Sequence, residues 1–103
     1  MTTKEEKELE KILKALASRR RLGILRYIKK SKGASVSDVA SDIHLSLRST
    51  SKHLTLLASA NILSKEQSGR YMYCSLPDDQ PDFVRRILST LQETLIGIVR
   101  ANV

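Results

Sequence analysis

Cysteine is nearly missing from this 103-residue chain: Cys74 stands alone. No disulfide can close within one copy, and no thiolate-rich metal cage can be built. Histidine is almost as scarce, with only His44 and His53, so the three or four suitably spaced ligands of a zinc site are absent. No apolar run approaches the roughly 18 residues that a membrane helix needs. The opening MTTKEEKELEKILK alternates acids and bases and lacks the apolar stretch of a secretory leader. The expectation is a cytoplasmic protein with no membrane partner, metal or cofactor. The four glycines are scattered, which leaves neither a phosphate-cradling loop nor a nucleophile elbow. An enzyme is therefore the reading with least support. Cys74 reads as a small buried apolar residue, with a redox sensor as the alternative.

Positive charge is what the chain has in excess, with a formal net charge of +7 and a pI of about 9.9. The excess is localised. Residues 1–17 balance four lysines against four glutamates, and residues 71–103 are nearly neutral. Residues 19–32 carry Arg19, Arg20, Arg21, Arg26, Lys29, Lys30 and Lys32 with no acid. Residues 46–70 add Arg48, Lys52, Lys65 and Arg70 against Glu66 alone. Such a patch is the electrostatic footprint of a polyanion binder, although many basic domains bind nothing specific.

Apolar spacing supplies the architecture. The chain length fits one domain, 1–103. Leu9, Ile12, Leu13 and Leu16 recur at helical intervals and predict a helix over about 4–17. A second helix is expected over about 20–31, with Leu22, Ile24, Leu25 and Ile28 inward and Gly33 closing it. Ser35 and Asp38 resemble a capping box before a short helix at 36–43. Ser46 would cap a helix reaching about Ala60, with Leu47, Thr50, Leu54, Leu57 and Ala58 inward and Asn61 beyond its end. The period then changes to two. Ile62–Gln67 and Tyr71–Leu76 read as strands of a hairpin, a wing of about 62–76, with Ser68-Gly69-Arg70 at its tip. A last helix begins near Pro81-Asp82 and runs to about 101. The order α-α-α-α-β-β-α is that of a winged helix-turn-helix, a mainly α fold with a small β-hairpin, its helix-turn-helix lying at about 36–60.

The helix after Ser46 is the candidate reader of DNA. Arg48, Ser49, Ser51, Lys52 and His53 are expected on its outward side near the start, where a recognition helix meets base edges. Lys65 and Arg70 put charge on the hairpin, and an Arg at such a tip suits a phosphate backbone or a narrow minor groove. His44 falls in the turn and reads as a solvated residue.

These blocks resemble the ArsR/SmtB family of winged-helix repressors. Leu16-Ala17 followed by Arg21-Leu22-Gly23-Ile24-Leu25 is similar to the family's entry to the second helix. Ser51-Lys52-His53-Leu54 with Leu57 resembles its Ser-x-His-Leu recognition helix, Ala60-Asn61-Ile62-Leu63 its following turn, and Gly69-Arg70-Tyr71-Met72-Tyr73 its wing. The match runs in consistent order over roughly residues 9–100. It implies a homodimer joined through the first and last helices, at about 4–17 and 81–101. The apolar residues for that contact are Leu9, Ile12, Leu13, Phe83, Ile87, Leu91, Leu95 and Ile98. The two-fold symmetry of such a dimer in turn predicts an inverted-repeat operator in double-stranded DNA. Two departures stand out. Ser35 and Ser37 occupy the places of a metal-sensing Cys-x-Cys, so the inducer is unidentified and a small-molecule effector is left open. Leu47 stands where relatives often carry a polar residue such as Gln, which removes one base-reading side chain. The alternative is a winged-helix module that binds protein or RNA, since fold does not fix function.

Overall fold

The computed structural model describes residues 1–91. In chain order the elements are α1 (Thr3–Leu16), α2 (Arg19–Ser31), β1 (Ala34–Ser35), α3 (Val36–Ile43), α4 (Leu47–Ser59), β2 (Ser64–Ser68), β3 (Tyr71–Ser75) and α5 (Asp82–Thr90). The expected Leu95 and Ile98, and the expected helix beyond residue 91, lie outside the described residues.

Small polar residues set the helix starts. Thr2 and Glu5 form a reciprocal capping box on α1. The hydroxyls of Ser18, Ser35 and Ser46 accept the amides of Arg21, Asp38 and Ser49 at the starts of α2, α3 and α4. Each cap satisfies an amide that the helix cannot pair internally. The turns that follow α2, α3 and α4 use left-handed backbone at Lys32 (φ 62°), His44 (φ 56°) and Asn61 (φ 60°). The end of α2 corrects the expectation for Gly33: Lys32 takes the left-handed cap. Gly33 adopts φ 126°, a conformation that L side chains rarely reach. A left-handed residue at His44 turns the chain between α3 and α4, so this histidine serves as a helix C-cap.

One apolar core holds the helices together. Ile24, Leu25 and Ile28 of α2, Val39 of α3, Leu54 and Leu57 of α4, Ile62, Cys74 and Val84 are almost wholly buried. Each large aliphatic side chain so buried contributes about 1.5–3 kcal/mol. Polar ties register the elements. Gln80 is buried, and its Nε2 donates to the Ile62 carbonyl at 2.8 Å, fixing the approach to α5. Lys29 Nζ donates to the Leu88 carbonyl at 3.1 Å and joins α2 to α5.

The sheet has three strands in the order β1-β3-β2, all antiparallel. The two-residue β1 is absent from the sequence-based order; Ala34 pairs with Cys74 and Ser35 with Tyr73. It anchors the base of the hairpin to the start of α3. The tip is tighter than expected: Ser68 pairs with Tyr71, leaving Gly69-Arg70 as a two-residue turn with Gly69 at φ 59°. Along β3 only Cys74 is fully buried, while Tyr71 and Tyr73 point outward with their rings edge-on at 6.5 Å. Burial raises the Cys74 thiol above its ordinary pKa, against a smaller opposing effect from Lys65. A neutral, buried thiol is a packing group, since reactivity requires the thiolate.

Candidate nucleic-acid interface

α3 and α4 form the helix-turn-helix, and α4 carries the side chains of interest. A helix advances about 100° per residue. Counting round α4 from Leu47, Ser51 lies about 40° on, Arg48 about 100° and Lys52 about 140°. All four are exposed, so the first turns present one unbroken sector with two cations, a hydroxyl and an apolar side chain. Ser49, about 200° round, is half-buried, and its amide is occupied by the Ser46 cap.

His53 departs from expectation. It lies about 170° round the helix from the centre of the outward sector, on the opposite side. It is half-buried, with Nδ1 3.2 Å from Arg21 Nη1. A guanidinium can only donate, so His53 Nδ1 accepts and its proton sits on Nε2. Desolvation, and then the charges of Arg21 and Arg20, lower its pKa from the ordinary value and keep the ring neutral. His53 is thus a structural acceptor behind the outward sector.

Arg21 is the residue that sequence reasoning missed. In the sequence it is one of seven bases within residues 19–32, but this side chain has internal work. Its Nε donates to the Ala15 carbonyl at 2.6 Å and its Nη2 to the Lys14 carbonyl at 3.1 Å. Those carbonyls belong to the last turn of α1, where a cation also meets the negative end of the helix dipole. One guanidinium therefore ties α1, α2 and α4 together. A sequence signal existed: Arg21 stands six residues after Ala15, across the short turn at Ala17-Ser18.

Leu47 is corrected too. Its period predicts an inward place, and its direction does match that of the buried Leu54. It is nevertheless 56% exposed, because the core beneath α4 begins at Thr50 and the first residue projects past it. Leu47 lines a groove of about 320 Å³ between α4, the start of α3 and the hairpin, with Lys65, Arg70 and Tyr71 on its far side. Lys65 Nζ donates to Thr55 Oγ1 at 3.3 Å, which ties the hairpin to α4. Arg70 at the tip is exposed.

The residues expected to join two copies divide. Leu13 and Phe83 are exposed at 48% and 38%. Leu9 is half-buried, and Ile12 and Ile87 pack part of their surface on the core. Leu91 is corrected: at 6% exposure it is a core residue within one copy, adjoining the Val84 and Leu88 face of α5. Among the described residues no cluster of three metal-ligating side chains exists, and no helix is long and apolar enough to cross a membrane.

The class defined by this arrangement is the winged helix-turn-helix domain. No family model matches the sequence, and neither does any curated protein. Solved structures do match. The AntR antimony-specific transcriptional repressor is 28% identical with a TM-score of 0.75, over 98% of this chain and 86% of that one. NolR from Sinorhizobium fredii is 29% identical with a TM-score of 0.70, over 91% and 93%. A homodimeric winged helix-turn-helix DNA-binding domain from Mycobacterium bovis, described as a possible ArsR-family transcriptional regulator, has a TM-score of 0.71 over 98% and 88%. Its identity is 21%, so that likeness is one of fold. Another neighbour, an ArsR family transcriptional regulator at 24% identity and a TM-score of 0.68, is likewise similar in fold.

Proposed function

We propose that this protein is a transcriptional repressor that binds double-stranded DNA as a homodimer at an inverted-repeat operator, in the cytoplasm. The observation that carries the reading is the outward sector of α4. Arg48, Ser51 and Lys52 are exposed together at the start of a capped helix, and Arg70 stands exposed at the adjoining hairpin tip. Arg and Lys donate to guanine O6 and N7 in the major groove, and a serine hydroxyl donates or accepts. α4 enters the major groove by its first turns, and the wing lies along the flanking backbone. Exposed Leu13 and Phe83, on the first and last described helices, supply apolar surface for a second copy. Two-fold symmetry then sets paired half-sites one or two helical turns apart.

Selection from a random duplex library followed by gel-shift titration tests the reading. The expected result is an enriched palindrome, bound with an affinity that falls steeply as salt rises. Absence of binding to any duplex at micromolar protein and moderate salt would overturn it in favour of a protein- or RNA-binding module.

A further inference from the structure

Leu47 is out of place on a cationic surface. It is the first residue of α4 and is 56% exposed. Its position is fixed, because the Ser46 hydroxyl accepts the Ser49 amide at 3.1 Å and locks the first turn. Arg48 and Ser51 flank it on the helix, and Lys65 and Arg70 face it across the groove to the hairpin. Cations on both sides select a polyanion as the occupant. A large aliphatic group held in their midst gains burial from an apolar counterpart on that polyanion. The edges of a DNA duplex offer one in the major groove, the C5-methyl of thymine, which the minor groove does not present.

We propose that Leu47 is a specificity-determining residue that packs on a thymine methyl in the major groove, with the aliphatic floor of the groove and Tyr71 beside it. The inference rests on the DNA-binding reading above and adds to it a base preference. The side chain that leaves α4 one polar reader short thereby reads an apolar mark. The same helix provides a control. Leu56 is 51% exposed but lies nine positions on, on the opposite side of α4 and about 13 Å along its axis.

The test uses the full chain and the best duplex recovered from the random library. That duplex is resynthesised with deoxyuridine in place of thymidine, one half-site position at a time. This removes the methyl group and keeps the base pair. The expected result is a three- to fivefold loss of affinity, roughly what one buried methyl group is worth, at one or more thymines in each half-site. Leu47→Ala binds the thymine and uracil duplexes equally, whereas Leu56→Ala keeps the wild-type ratio. Leu47 is exposed, so its replacement leaves the fold intact, which an unchanged circular dichroism melt verifies. Salt-dependent binding with no uracil effect at any position overturns the inference and leaves DNA binding standing. An undiminished uracil effect in Leu47→Ala does the same. A wild-type protein that binds no duplex overturns both.

Discussion

Two helix starts in this molecule look alike in sequence and serve opposite ends. α2 and α4 each open on a serine cap followed by basic residues, Arg19–Arg21 in one and Arg48 with Lys52 in the other. At α2 the third arginine turns inward and spends its donors on two carbonyls of α1 and on His53. At α4 both cations face outward and carry no internal hydrogen bond among those of the described residues. A count of charges treats the two as one basic surface. Their partners separate a clamp, whose loss acts on folding, from the surface proposed to read DNA.

That contrast can be broken by exchanging the assays. Arg21→Ala should lower unfolding free energy by about 2–3 kcal/mol in urea titrations, because it strands backbone carbonyls and an imidazole acceptor. Arg21→Lys should recover only part of this, since an ammonium cannot reproduce the planar fork. A loss under about 0.5 kcal/mol, the range of an ordinary surface substitution, would mean that Arg21 is no clamp. Arg48→Ala should do the reverse: affinity for the selected duplex weakens by about 1–3 kcal/mol and one base preference relaxes. Its unfolding free energy should stay within about 0.5 kcal/mol of wild type. Equal affinity for every sequence would remove Arg48 from base reading.

A smaller effect probes the packing that holds α4 in place. Thr50 is fully buried and its Oγ1 has no hydrogen-bond partner among the described residues. Thr50→Val keeps the shape and removes the orphaned hydroxyl, so stability should hold or rise by about 1 kcal/mol. A loss of more than about 1 kcal/mol, the worth of a typical hydrogen bond, would show that the hydroxyl has a partner after all.

The smallest effect concerns pH. His53 has a folded pKa below its unfolded value, so the unfolded chain takes up its proton first. Stability from this residue is full above about pH 6.5, the ordinary imidazole value. It declines as pH falls from there toward the lowered folded value. Thermal melts of His53→Gln, which retains an acceptor for Arg21, should lose that increment of pH dependence. Identical pH profiles for variant and wild type would contradict the assignment.

Much of this molecule is legible in its sequence, for identifiable reasons. The helix at 36–43 can be placed to the residue, because Ser35 caps it and a short turn ends it. Ser46 and Gly69 likewise mark the start of α4 and the turn of the hairpin through local chemistry. What escapes is non-local. β1 is two residues long and exists through its pairing with β3, so no period could announce it. Period gives Leu47 its direction but not the point along α4 at which the core stops. Surplus apolar residues on the last helix point Leu91 to a partner, yet the core of one copy already takes it. His53 belongs to a motif tied here to DNA reading, and only the position of Arg21 shows its inward role.

The salt dependence of binding is the most direct measurement of the central claim, that the start of α4 and the hairpin tip together engage one duplex. On the selected operator, the slope of log affinity against log salt should become shallower by about two per bound protomer in the Lys52→Ala/Arg70→Ala double variant, about one for each cation that no longer displaces counterions from the duplex. A slope equal to that of wild type would contradict it.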